Sequence, residues 1–276
     1  MGILSDLARS IVQSWHTAIF AFAAFTAFEL MTARERQSVP GRLLGIVFWA
    51  IWLPLAMWIH SGFTMVWQAL RIRPLIVLPM EWSPYGVLAA CGAAVLAAVT
   101  YDFFFYWCHR FEHRFLWRFH AVHHSIRELN TINAFHHPIE PIVQSLLILL
   151  PLSLIVCDTG TAPLAAIMLL YLQATFIHSP SRWHFGPIGR VIVDNRFHRL
   201  HHSLEERHFD RNFGAMTTVW DHIFGTAIVP EPEQWPEVGV AGIEPPRNVR
   251  DWLLFPLRRY PDAPSTAPST TSSSAI

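Results

Sequence analysis

The stretch HRFEHRFLWRFHAVHH, His109 to His124, places five histidines in sixteen residues and dictates how the chain has to turn. In a helix, residues three and four apart lie on one face. His109 and His113 therefore point together, and so do His120, His123 and His124. As one straight helix all five would fall within an arc of about 100°, but along a stripe of about 22 Å. That is too long for one compact site. The segment is predicted to bend between Arg114 and Phe119, where a helix leaving the bilayer gives way to one lying on its surface. The same i, i+3, i+4 spacing returns in HRLHH, at His198, His201 and His202, which is expected to fold back over both.

The surroundings of these clusters are those of a membrane protein. Of 276 residues, 52% are hydrophobic and 14% charged, with a mean hydropathy of +0.30, too apolar for an ordinary soluble domain. About 20 apolar residues cross a bilayer as helix. Trp15 to Met31, Leu43 to Leu70 and Gly86 to Trp107 meet that measure, and the last is interrupted only by Asp102 near its end. Ile142 to Val156 and Ala162 to Ile177 are shorter and read as a hairpin around CDTGT, Cys157 to Thr161. The expected fold is an all-α integral membrane protein of about four to five transmembrane helices with a cytosolic, histidine-rich cap. Arg-bearing segments after the first span, after His109 and after His178 favour the cytoplasmic side for the clusters and the C-terminus. Residues 1–85 are read as N-terminal spans, 86–230 as the catalytic region, 231–260 as a C-terminal extension and 261–276, rich in Pro, Ser and Thr, as a disordered tail.

Several functions are excluded by composition. The chain has no Lys, which removes Schiff-base chemistry and the phosphate-binding GxxxxGK[ST] loop. Zero formal charge argues against a nucleic-acid partner. Three cysteines, Cys91, Cys108 and Cys157, do not suggest a disulfide framework. Histidine is the outlier: 14 of the 16 lie between His109 and His222.

A lone histidine is more often a satisfied or solvated side chain than a ligand, and that reading is applied to His16, His60, His184, His208 and His222. Eight in three spaced clusters call for metal, because neutral imidazole suits Zn, Cu, Fe and Ni. One ion accepts four to six donors, so eight converging rings imply two. HExxH is absent, and the sole ExxH, Glu205 with His208, is too few for a ferritin-like pair. A histidine-rich iron pair at the membrane surface is suited to activating dioxygen against an unactivated C–H bond of a lipid.

In order, HRFEH, HAVHH and HRLHH resemble the HxxxH, HxxHH and HxxHH pattern of the fatty acid hydroxylase and sterol desaturase superfamily of membrane di-iron enzymes. Asp102, HPIE at His137 to Glu140, FIHS around His178, NFG at Asn212 to Gly214 and WDHIFGT at Trp220 to Thr226 are similar too. The resemblance spans about Ala98 to Pro230. It departs at Phe135, where relatives often carry Arg, and at Asn195, where they often carry Pro. It implies a four-helix transmembrane core under a cytosolic cap, two Fe ions, O2 as co-substrate and an external electron donor of the cytochrome or ferredoxin type.

The metal ligands expected are His109, His113, His120, His123, His124, His198, His201 and His202, with His178 as a ninth and His137 as a further candidate. Asp102 is expected to support a cluster histidine such as His120 or His198, and Asn212 to be an outer partner or a turn residue. Zinc could replace iron in purified protein. The expected activity is hydroxylation of a fatty acyl, sterol or ether lipid drawn from the bilayer, in a bacterial inner membrane or the endoplasmic reticulum. Three alternatives stay open: a lipid desaturase on the same centre; a metal transporter or sensor, against which stands the position of the clusters at helix ends; and a membrane cytochrome holding haem between paired histidines, which needs His on facing spans where only His16 and His60 lie.

Overall fold

The computed structural model describes residues 2–71, 73, 75–78, 86–157 and 170–258. Three long helices come first: α1 (Gly2–Thr32), α2 (Val39–Ala69) and α3 (Gly86–Phe115). Ser38 caps α2 by accepting the N–H of Gly41 at 3.1 Å, and Pro40 occupies its first turn, where a missing N–H costs nothing. Ile76–Leu78 (β1) pairs in parallel with Ile155–Cys157 (β2), the one strand ladder among the described residues in an otherwise helical fold.

The predicted bend is present. α3 stops at Phe115, Leu116 takes a non-helical conformation with φ −121° and ψ 21°, and α4 (Trp117–His124) starts again in a new direction. The opposite face of α4 explains why it stays down: Ala121 and Val122 are fully buried beside Phe48 of α2. Phe48 stacks on Trp252 at 4.9 Å and meets Phe135 edge-on at 4.4 Å. Trp252 belongs to a short C-terminal helix, so the extension after residue 230 completes the core beneath α4.

After α4 the chain runs through an extended loop to α5 (Glu140–Leu152), which contains a π turn at Ser145–Leu149 just ahead of Pro151. Proline lacks an N–H and cannot continue the regular ladder, which favours a locally widened turn. Residues 170–176 are helical and end at His178. The next helix, α6 (Asn195–His201), is capped by the Asp194 carboxylate, which accepts the N–H groups of Arg196 and Phe197. Phe197 and Leu200 are fully buried, which leaves His198, His201 and His202 to line the other side.

One described helix, Val39–Ala69, is long and apolar enough to cross a membrane. The sequence predicted four to five such spans. In α1 the apolar part, Ala18–Thr32, is shorter than a full span, and so is Glu140–Leu152. The turn around Asp158, most of the hairpin's second arm and the tail from 261 lie outside the described residues. The exposed large apolar side chains of α1, α2 and α3 include Phe20, Met31, Trp58 and Leu88.

Candidate metal centre

Each cluster was expected to aim its rings one way, but the structure deals them between two groups. The ligating nitrogens of His109, His113, His120, His124 and His201 lie within 4.8 Å of one another, and so do those of His123, His178, His198 and His202. On α4 the i, i+4 pair His120 and His124 serves the first group while His123 serves the second. On α6 the pair His198 and His202 serves the second group and His201 the first. The bend at Leu116 makes this arrangement reachable, bringing the His113 and His120 rings to 5.1 Å.

Within each group the Nε2 atoms are closely spaced. His109 and His120 approach to 3.1 Å and His113 and His124 to 3.2 Å in the first group. In the second, His178 lies 3.3 Å from His123 and 3.0 Å from His198, with His198 and His202 at 3.1 Å. Nitrogens bound to one metal at about 2.0–2.1 Å occupy neighbouring corners roughly 3 Å apart.

The opposite ring nitrogens show how this spacing suits a cation. His109 Nδ1 donates to the Phe213 carbonyl at 2.8 Å, His201 Nδ1 to that of Arg211 at 2.7 Å and His178 Nδ1 to that of Ala174 at 2.7 Å. A carbonyl oxygen only accepts, so each proton sits on Nδ1 and each Nε2 presents a bare lone pair. His113 Nδ1 faces the Asp210 carboxylate at 3.1 Å, and His120 Nδ1 lies 3.4 Å from Glu140. Where two bare lone pairs face each other at 3.1 Å they repel unless a cation or a shared proton stands between them. His201 Nε2 has no hydrogen-bond partner of its own.

Burial keeps these rings neutral, the form that binds metal. It pushes His120 down to about 4 and His178 to about 3, and holds His109, His123, His124, His198, His201 and His202 well below the ordinary range, helped by neighbouring imidazoles. Burial also raises Glu112, reinforced by the charge of Glu140. Burial would raise Glu140 too, yet His136 and His120 hold it below the usual carboxylate range.

Three sequence expectations need correction or completion. Asp102 does not meet a histidine: its carboxylate accepts the backbone N–H groups of Ala215, Met216 and Thr217, each at 2.9 Å, and the Thr217 hydroxyl at 3.0 Å. It pins the loop whose Phe213 carbonyl holds His109, so its support is one link removed. His137 stands apart from both groups, with Nε2 3.3 Å from the Leu253 carbonyl and Nδ1 accepting the N–H of Ile139. Its neighbour His136 faces the centre instead, beside His120 and Glu140. The i, i+4 spacing of His136 and Glu140 is visible in sequence, but it does not by itself single out His136 over its neighbour.

Asn212 is a turn residue, with φ +58°, that ties three segments together. Its amide donates to the Phe197 and Ile228 carbonyls at 2.9 Å each, and its oxygen accepts the Ile228 N–H at 2.7 Å. Gly214 follows because a Cβ there would sit 2.4 Å from the Thr217 carbonyl oxygen. Asp221 accepts the N–H groups of Phe213 and Gly214 at 2.8 Å each, so the WDHIFGT segment packs the cap. Among the other histidines, His184 and His222 are exposed, and His208 bonds Ser203.

Replacing Asp102 by Leu leaves up to three buried amides without an acceptor, at about 1–3 kcal/mol each. The expected result is a drop of several kcal/mol in unfolding free energy and weaker metal retention. Asp102→Asn keeps one accepting oxygen and falls between. An unchanged thermal midpoint for Asp102→Leu would show that the loop is held by other means.

Residues 94–226 match the family model for fatty acid hydroxylase, a region that contains both histidine groups, Asp102 and Asn212. The matched region resembles a fatty acid hydroxylase domain. Around that domain, the chain is similar to an ornithine lipid hydroxylase of Rhizobium tropici, 32% identical over 54% of this chain and 45% of the relative. It is 31% identical to the alkylglycerol monooxygenase of Homo sapiens, over 60% of this chain and 35% of that one. A very-long-chain aldehyde decarbonylase of Oryza sativa subsp. indica is 32% identical over 48% of this chain and 23% of its own length. The chain thus spans less than half the length of these curated relatives. No solved structure matches. The matched region excludes α1, α2 and the extension after residue 230, although Phe48 and Trp252 complete its core.

Proposed function

We propose that the protein is an O2-dependent lipid hydroxylase that uses two iron ions, one in each histidine group, to oxidise a C–H bond of a fatty acyl, sterol or ether lipid. The observation carrying this reading is the convergence of nine Nε2 atoms in two buried groups, with His109, His201 and His178 turned bare-nitrogen inward by carbonyls on the far side of the ring. His109, His113, His120, His124 and His201 would hold one ion; His123, His178, His198 and His202 would hold the other. Iron bound there would supply the oxygen-activating chemistry that an unactivated C–H bond requires.

The chain's own part is to keep the imidazoles neutral, aimed and dry. Phe213 does much of the last, its ring standing 5.0 to 5.7 Å from those of His109, His113 and His201. The relatives support the substrate class, because two of them are named for lipid oxidation. In this reading four to five spans anchor the chain, with the clusters and C-terminus on the cytoplasmic face. The lipid arrives from the bilayer, and electrons come from a cytochrome or ferredoxin-type partner.

Elemental analysis of active protein is expected to give about two metals per chain, iron in the active form with zinc as a substitute. One metal or none would sink the proposal. Lipid profiling with and without the gene is expected to show a species gaining one oxygen atom; a species losing two hydrogens would make the enzyme a desaturase.

A further inference from the structure

A third knot of buried polar atoms lies between the two histidine groups and belongs to neither. Glu140, in the first turn of α5, is 1% exposed, and its two carboxylate oxygens face two different histidines. Its Oε1 lies 3.4 Å from His120 Nδ1, and its Oε2 lies 2.5 Å from His136 Nδ1. The His136 ring is stacked on that of His123, with centroids 3.9 Å apart and planes 15° from parallel. His120 serves the first group and His123 the second.

We propose that Glu140, acting through His136, is a positioning residue that couples the two metal sites. This rests on the two-metal reading. One carboxylate oxygen fixes the far side of a ring in the first site, and the other fixes the plate against which a ring of the second site lies. His136 has little freedom to follow any other partner, because its carbonyl accepts the N–H of fully buried Trp252 at 3.0 Å. An ion in the first site immobilises His120 and with it Glu140 and His136. His123 is then already oriented when the second ion arrives, so the second binding event loses less conformational freedom than it would alone. By linkage the effect is reciprocal.

Glu112 provides an internal contrast. Its Oε2 lies 3.6 Å from the same His120 nitrogen, so it touches the first site. Among the described contacts it does not reach His136. Replacing the Glu112 carboxyl by an amide should therefore weaken one site without uncoupling the pair.

The test is a titration of the metal-stripped full chain with Co2+, read by cobalt absorption and by metal per chain. The wild type is expected to take up two ions in one steep transition. Glu140→Gln is expected to split it into two steps, with the weaker site about 10 to 100-fold poorer, the usual loss when an outer partner of a bound imidazole is removed. His136→Phe, which keeps an aromatic plate on His123 but not the carboxylate contact, should also split the transition. Glu112→Gln should shift it without splitting it.

A wild type that binds one ion or none defeats the two-metal reading itself. Two ions with a single steep transition in both Glu140→Gln and His136→Phe overturns the coupling alone. Three ions in the wild type, one of them lost in Glu140→Gln, also overturns it, by making His120, His136 and Glu140 a cation site of their own. Should Glu140→Gln fail to fold, the His136→Phe titration decides, since that ring is partly exposed and its replacement is of similar shape.

Discussion

Replacing His201 by Ala is expected to empty the first metal site and abolish turnover, and replacing His123 by Ala to do the same through the second. Each variant removes a donor whose position no neighbour can fill. His201 is held by the Arg211 carbonyl with its other nitrogen free of any partner, and His123 stands 3.3 Å from His178 at the heart of its group. Losing an outer partner of a metal-bound imidazole typically costs about 10 to 100-fold, so losing the imidazole itself should cost at least about 100-fold in turnover. Metal per chain should fall in parallel. His222→Ala, at an exposed ring, should keep most of the activity and all of the metal. Equal tolerance at His201, His123 and His222 would mean that the two groups are not the active centre.

Acid is expected to open the cap and strip the site in the pH range just below neutrality. In the unfolded chain each ring titrates near 6.5, whereas burial depresses His120 to about 4, His178 to about 3 and the other members of the two groups in the same direction. Between those limits the unfolded chain binds more protons than the folded one, so stability rises with pH there. The contribution is fully present above about 6.5 and is lost as pH falls below it. Each ring held neutral loses about 1.4 kcal/mol per pH unit. Nine rings of the two groups are depressed in the same direction, so the combined loss is large beside the whole stability of a domain. Metal-stripped protein should keep its fold at pH 7.5 and lose it between about pH 6.5 and 5. Bound metal should move that transition to lower pH. The near-ultraviolet signal of buried Trp252 and metal content after dialysis report the two events. A metal-free protein equally stable at pH 7.5 and 5 would contradict neutral burial of the rings.

The centre was legible in the sequence to the extent that its determinants are local. Spacing places His109 with His113 and orders the rings of α4 and α6, and the length of the stripe demands the break found at Leu116. What spacing cannot reach is the far side of each ring. Asp102 finds backbone amides more than a hundred residues away, a pairing set by how the 213–217 loop crosses α3. His136 and His137 are adjacent, so composition gives no reason to choose between them; the choice is made by Trp252, whose hydrogen bond orients that backbone from the opposite end of the chain. The link from Arg199 to Glu35, with two contacts at 3.0 and 3.1 Å, is equally silent in sequence, yet it fastens α6 to the loop after α1. The number of spans was the weakest reading, because an apolar run reports what a helix avoids and not how far it extends.

The sharing of α4 and α6 between both groups also sets an order of events in biosynthesis. Four rings of the first group, His109, His113, His120 and His124, have been made once the chain reaches residue 124. The second group then has only His123, and must wait for His178, His198 and His202. The first group is thus nearly complete in sequence before the second has more than one member, although the partners that aim its rings, Glu140, Asp210 and Phe213, come later. The arrival of α6 closes both at once, adding the fifth donor to the first and two donors to the second.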